Sequence, residues 1–511
     1  MTAAADLLVT NAEVHTLARP DETHEAVAVR DGRIVRVGDA YDLSFLAGVD
    51  TRVVDLDGRV LLPGFIDAHT HLCLLGQRLV HADLSDATSR AEALGTLRDR
   101  AKTVAAGDPV LGFGYDESAW GEADYLTRAD LDAVDADGPV VAVREDLHVA
   151  SLDSTALEQF GDDLPDDDVH RVGGDPTGVV VEAATEAVLD AVAPDRPETA
   201  DLLRAAQRHA NERGVTTAHD MVRRTHAPAV YRDLDRAGEL TLRVRLNYWA
   251  DHLDALLETG LATNHGTDMV RVGAIKTYTD GSLGGRTARL SAPYSDAPDE
   301  RGTWVVPPAE FRKLFDSAAG VGFQVAAHAI GDEAVDAVVD TFGEGDDPAA
   351  ARHRIEHAEL ASDAAIDRLA DTGIVASVQP NFHRWAGESG LYADRLGDRR
   401  VETNRLGRLA DAGVPLAFGS DCMPLDPLVG VHHAVTAPTA AQRLDVTEAL
   451  RAYTLGSAYA GFDEERLGTV EPGKRADLVA LSDSPWEQSD AICDIDAILT
   501  VVDGRVVYDG R

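Results

Sequence analysis

Hydrophobic and polar positions follow two rhythms along this chain. Near both ends, short apolar runs alternate with turn residues. Leu7-Leu8-Val9, Ala26 to Val29, Arg33 to Val37 and Val53-Val54 lie near the start, and Leu478 to Leu481, Ile498 to Val502 and Val506 to Tyr508 near the finish. Asp31-Gly32 between two such runs is a hairpin signal, and Asp503-Gly504 repeats the style. The simplest arrangement pairs the two ends in one small β-sandwich. The middle of the chain instead alternates strand-like runs with helix-length stretches such as Ala334 to Phe342 and Ser362 to Asp371. That alternation predicts parallel βα units. Strands are expected at 65–71, 215–219, 241–248, 270–276, 323–328, 353–357, 374–379 and 415–421, enough for an α/β fold closed as a (β/α)8 TIM-like barrel.

The gap between the first two strands is too long for one βα unit. Residues 86–198 therefore read as a large insertion after barrel strand 1. It holds strand-like pieces (Val110 to Tyr115, Val140 to Arg144), a helix around Ser154 to Phe160, and an acidic Gly/Pro-rich stretch from 161 to 178. An insertion at a barrel mouth commonly forms a lid; a peripheral subdomain is the alternative. The expected division is 1–63 and 465–511 for the sandwich and 64–464 for the barrel.

Chemistry-bearing residues gather where the strands end. Phe65-Ile66 runs into His69-Thr70-His71, and residues i and i+2 of a strand point to the same side. Two imidazoles offered to one point make half of a metal site, although paired histidines also occur in ordinary cores. Later apolar runs end in Lys276, His328, His357 and Asp421. In a barrel these strand ends converge on one mouth. Lys276 stands out because the chain has four lysines (102, 276, 313, 474) among 47 basic residues. An ammonium is no metal ligand, but a lysine carbamylated by carbon dioxide is a carboxylate that can bridge two cations. The bland alternative is an ion pair with Asp280.

These residues sit in motifs that resemble the amidohydrolase superfamily, in its branch of N-substituted formamide deformylase-like metal hydrolases. The motifs are Pro63 to His71, Lys276 to Gly284, His328-Ala329-Ile330-Gly331-Asp332, Arg352 to His357, Gln379-Pro380, Phe418 to Asp421 and Gly468 to Leu478. One departure follows Gln379-Pro380: the family often has a histidine two residues beyond that proline, whereas here His383 comes third. The resemblance implies a barrel beside a small β-sandwich and a cofactor of two divalent ions, Zn²⁺ first among them. His69, His71 and Asp421 would hold one ion, His328 and His357 the other, and carbamylated Lys276 would bridge them. A hydroxide held there would attack an amide, formamide or cyclic amide of a small molecule, with Asp421 as general base and then acid. Nitrogen and carboxylate donors suit Zn²⁺. Asp332 or Glu356 would support the ligand histidines, and Asp67 and His219 are further candidates there. For substrate contact the candidates are Tyr278, Asp280 and Arg286 on the loop after Lys276, His148 on the insertion, and His383. Two other readings stay open: a relative with one metal and unmodified Lys276, and a non-catalytic scaffold on the same fold.

Composition narrows the partners. With 47 Lys and Arg against 89 Asp and Glu, the formal net charge is −42. So acidic a chain is a poor nucleic-acid ligand. Its spread of acid suits a surface adapted to high salt, where the Debye length falls to about 3 Å. Cys73, Cys422 and Cys493 give neither a disulfide framework nor a thiolate zinc cluster. No membrane-length apolar run or leader is expected, so the expectation is a cytoplasmic protein. A homodimer is the default assembly.

Overall fold

The computed structural model describes residues 4–19, 22–117, 120–121, 124–145 and 148–511. They form two compact units, Met1–His71 with Gln207–Arg511, and Leu72–Ala206.

The first unit is built on a (β/α)8 barrel. Its strands are β1 (Phe65–Thr70), β2 (Val215–Val222), β3 (Arg243–Trp249), β4 (Val270–Tyr278), β5 (Val325–Ala329), β6 (Arg354–His357), β7 (Val375–Val378) and β8 (Leu416–Phe418). They lie in sequence order, all parallel, in one sheet. Both faces of such a sheet are covered, which is why these strands read as apolar runs rather than as alternating ones. The two ends of the sheet meet just beyond β8, where the Asp421 N–H donates to the His69 carbonyl at 2.8 Å. The chain passes so close there that only glycine fits at Gly419: a Cβ would sit 2.4 Å from the His69 nitrogen.

Two further sheets complete this unit. The larger has the order Arg505–Asp509, Ala497–Val502, Leu478–Leu481, Val60–Pro63, Glu13–His15, Thr23–His24, and so joins both ends of the chain. Its seam is antiparallel, with Leu62 opposite Val479. The smaller, of Arg33–Gly38, Ala26–Arg30, Leu7–Thr10 and Arg52–Asp55, uses N-terminal strands only. The two ends therefore pair in one sheet and not in both. Val9, Val27, Leu61, Leu478 and Leu499 share one buried core. Both hairpin signals are left-handed turns, Asp31-Gly32 at φ 52° and 72° and Asp503-Gly504 at 51° and 75°. A buried fork ties barrel to sandwich: Arg243 at the start of β3 donates to Asp477 at 2.6 and 3.1 Å and to Asp503 at 3.1 Å.

The second unit is a six-stranded mixed sheet. Val110–Tyr115 lies parallel to Ala82–Asp83 on one side and to Val140–Arg144 on the other, and three antiparallel strands follow. A helix runs Ser154–Phe160, capped by the Asp153 carboxylate on the Ala156 N–H. The acidic stretch 161–178 is less irregular than its composition predicts. It carries the hairpin Val169–Val172 to Asp175–Val181, turned at Gly173-Gly174 with φ of 65° and 97°. Among the described residues no helix is long and apolar enough to cross a membrane.

Candidate metal centre at the barrel mouth

The C-terminal ends of the strands carry the expected groups. His69 and His71 leave β1 on one side, and Asp421 follows β8. The ligand atoms of these three residues all lie within 4.8 Å of one another, with His71 Nε2 3.2 Å and His69 Nε2 3.7 Å from Asp421 Oδ1. Among the described residues no other trio of His, Cys, Asp or Glu comes so close. Backbone geometry presents the aspartate: Asp421 and Cys422 both adopt left-handed φ, 55° and 59°, a conformation that non-glycine residues hold only where the surroundings enforce it.

His69 and Asp421 are held from behind. His69 Nδ1 meets Glu356 Oε2 at 2.6 Å, so Nδ1 carries the proton and Nε2 offers its lone pair to the mouth. Glu356 is itself clamped by Arg354, whose Nε lies 2.8 Å from Oε1. Asp67 accepts from the His69 N–H at 3.1 Å and from the backbone and hydroxyl of Ser420. It thereby ties the first strand to the turn that presents Asp421. Burial pushes Asp67 up to about 7. Burial would also raise Asp421, but His69, His71 and Lys276 outweigh it and hold the carboxyl below its usual range.

His328, His357 and Lys276 face the same mouth differently. The His328 and His357 ring centroids are 4.5 Å apart, and His357 lies 5.0 Å from His69. Burial holds His69, His328 and His357 well below the ordinary imidazole range, so they are neutral donors suited to a cation. His328 Nε2 lies 3.0 Å from the Gly281 carbonyl, and His357 sits at φ 71°. Lys276 is 1% exposed, and its Nζ has no hydrogen-bond partner among the described residues. Burial pulls its ammonium down to about 8 against the opposing pull of Glu356 and Asp421. An ammonium buried without a hydrogen bond is costly. The residues therefore fit a divalent metal centre.

The remaining candidates are distributed more widely. Asp280 does not pair Lys276; its carboxylate is capped by the N–H groups of Arg289, Ile330 and Gly331 at 2.8, 3.1 and 2.9 Å, and burial pushes it up to about 7. It organises the loop after β4. Tyr278 packs on Trp249 and His328, centroids 4.3 and 4.8 Å away. The charge of Arg286 already pairs with Asp296 at 2.8 Å. His383 is buried, with no hydrogen bond to either ring nitrogen among the described residues. His148 belongs to the second unit and lies 3.1 Å from Glu182. Asp332 is no partner of a ligand histidine; it accepts from the backbone and hydroxyl of Ser291. Glu356 supports His69, not its sequence neighbour His357. His219 accepts from Arg354 at 2.8 Å. Cys422 lies 2.9 Å from the Thr70 hydroxyl, and burial pushes its thiol up to about 12, so it is a wall and not a ligand. Sequence reasoning missed Arg354 and Ser377, a buried pair bonded at 2.8 Å beneath Glu356; an arginine inside an apolar strand was their one signal.

Three comparisons bear on this site. A model of the amidohydrolase family matches residues 52–508. The N-substituted formamide deformylase of Arthrobacter pascens is 26% identical over 552 residues, covering 100% of this chain and 99% of that protein. The protein LONG AFTER FAR-RED 3 of Arabidopsis thaliana is 31% identical over 543 residues, covering 99% and 92%. Among solved structures, an uncharacterized metal-dependent hydrolase from Pyrococcus horikoshii superposes with a TM-score of 0.80 at 29% identity, covering 94% of this chain and 98% of that one.

Proposed function

The chain belongs to the amidohydrolase family, as a metal-dependent hydrolase of carbon–nitrogen bonds other than peptide bonds, and we propose that it cleaves an amide, formamide or cyclic amide of a small molecule. The observation that carries this reading is the convergence of His69, His71 and Asp421 beside the buried, unbonded Nζ of Lys276. In this reading His69, His71 and Asp421 would hold one zinc ion and His328 and His357 a second, and carbamylated Lys276 would supply a further carboxylate ligand. Divalent cations supply Lewis acidity there, polarising a carbonyl and lowering the pKa of water.

The chain's own residues do the rest. Asp421, ionised at neutral pH, takes a proton from the attacking water at its carboxylate. It then passes the proton to the leaving nitrogen, base first and acid second. Glu356 keeps His69 in the tautomer that offers Nε2 outward. Tyr278, packed between Trp249 and His328, forms an apolar wall that limits water at the reacting carbonyl. Formamides are the first compounds to assay, because one relative is named for them.

Metal per chain, measured by elemental mass spectrometry on protein purified in high salt without chelator, tests the reading. Two equivalents, with the added mass of one carbon dioxide on Lys276, are expected. One equivalent and an unmodified lysine would favour the mononuclear alternative, to which the tight trio lends itself. None, even after Zn²⁺ and bicarbonate are added, overturns it.

A further inference from the structure

Three consecutive strand ends carry a ladder of side chains away from the metal centre. Tyr278, at the end of β4, packs on the His328 ring, and Trp249, at the end of β3, packs on Tyr278, with centroids 4.8 and 4.3 Å apart. Arg223, the residue that follows β2, lays its guanidinium over the Trp249 ring, 4.9 Å from the centroid. The arginine thus stands at the same mouth as the ligands, two rings away from His328. Burial pushes the Tyr278 phenol up, Asp421 adds to that push and Arg223 opposes it. The hydroxyl therefore feels the metal-site carboxylate and the guanidinium together.

The guanidinium is held but not used up. Its Nε donates to Asp251 Oδ2 at 3.0 Å, and cation–π attraction keeps it over the indole. Among the described residues neither terminal nitrogen of Arg223 makes a hydrogen bond, and the side chain is half exposed. Arg224, next in the chain, turns to the same aspartate, 3.7 Å away, while its backbone N–H donates to His252 Nε2 at 3.3 Å. Two guanidinium groups share one carboxylate here, in a chain whose formal net charge is −42. Arg286, by contrast, is fully engaged: both oxygens of Asp296 accept from it, at 3.1 and 2.8 Å.

We propose that Arg223 selects the substrate, an amide whose far end is a carboxylate joined to the scissile C–N bond by a flat apolar body that lies along Tyr278. The inference rests on the hydrolase reading above for the bond that is cleaved, and adds the charge and shape of the molecule that carries it. The planar fork of an arginine matches the two oxygens of a carboxylate. A fork already fixed by Trp249 and Asp251 loses little freedom when the ligand arrives. The positive excess at the mouth also draws anions toward it from solution.

Three formanilides that differ only at the para position test the selection: 4-formamidobenzoate, unsubstituted formanilide and 4-formamidophenyltrimethylammonium. The full-length, metal-loaded enzyme is assayed with each, and every variant is read against the wild type on the same compound, which cancels the intrinsic reactivities. Arg223→Gln should lower the carboxylate-to-neutral ratio of kcat/KM by about tenfold, with the loss in KM. Arg223→Lys should retain part of the preference, and Arg223→Glu should shift it toward the trimethylammonium compound. Calorimetry with 4-acetylbenzoate and acetophenone, ketones with no C–N bond to cleave, reads the same site without turnover. The carboxylate should bind about tenfold tighter, and Arg223→Gln should remove the difference. Equal binding of the two ketones by the wild type, or a carboxylate preference that survives Arg223→Gln, overturns the inference. If no formanilide is cleaved but the ketones show an Arg223-dependent preference for the carboxylate, the anion site stands and the hydrolase reading fails.

Discussion

The two sides of the barrel mouth are built on different terms. His69, His71 and Asp421 are drawn together by the protein itself: Asp421 N–H bonds the His69 carbonyl, and Asp67 spans both strands. The opposite side has two neutral histidines and an amine; Asp280 lies 3.7 Å from His328 Nε2, but its carboxylate is taken up by three backbone N–H groups. One side has its anion in the fold. The other, in the reading proposed here, acquires one by carbamylation of Lys276. Preorganised ligands bind metal with less reorganisation, so the trio should fill first and empty last.

The largest effect on this comparison should come from Asp421→Asn. It removes both the trio's anion and the base. Turnover should fall by about 10³-fold or more, within the upper range of general acid–base contributions, with metal content falling in parallel. An Asn variant that keeps full turnover with metal bound would remove the proposed role of Asp421.

Lys276→Ala breaks the other side and spares the trio. Metal should drop from two equivalents to one, and turnover by about 10²-fold, because the remaining ion still polarises the carbonyl. Short carboxylic acids added to the buffer should restore part of the activity by occupying the vacated space. If Lys276→Ala instead keeps two ions, the lysine is not a bridge.

Glu356→Gln sharpens the comparison further. The glutamate touches no proposed substrate position; it sets the tautomer of His69 and balances Arg354. Removal of such a partner typically costs about 10- to 100-fold in metal affinity. The loss should be confined to the ion on the trio side and show in a metal titration before it shows in saturated kcat. It should also destabilise the fold by about 3–5 kcal/mol, because Arg354 is left buried without its counterion. Equal loss of both ions would contradict the division drawn here.

Much of this was legible in the sequence, for a specific reason. A parallel barrel sends the C-terminal end of each strand to one face, so apolar runs ending in His69, His328, His357 and Asp421 announce their meeting without any distance being known. What stayed hidden depends on which strands face each other across the barrel or on where a loop folds back. Glu356 precedes His357 in the chain yet reaches across to His69 on β1. Arg286 reads as a free cation until the loop brings Asp296 beside it. Asp280 reads as a partner for Lys276 until three backbone N–H groups are found on its carboxylate. The N-terminal strands similarly gave no hint that four of them would form a sheet without the C-terminal ones.

The smallest effect concerns a histidine outside both sides, and it calibrates the buried imidazoles of the mouth. His353 accepts the Val325 N–H and is packed between Phe315 and Phe342, and burial holds it down at about 4. An unfolded histidine titrates near 6.5. The unfolded chain therefore takes up this proton first as pH falls, and stability is lost between about pH 6.5 and 4, by no more than roughly 3 kcal/mol. Above pH 7 both states are neutral and the term vanishes. His353→Phe should remove that component of the pH dependence while costing only about 1 kcal/mol at pH 8 for the lost hydrogen bond. Denaturant unfolding of both proteins at pH 8 and pH 5 measures it. A pH slope that is the same in both proteins would mean that His353 is protonated in the fold, and that burial beside aromatic rings is not enough to keep an imidazole neutral in this barrel.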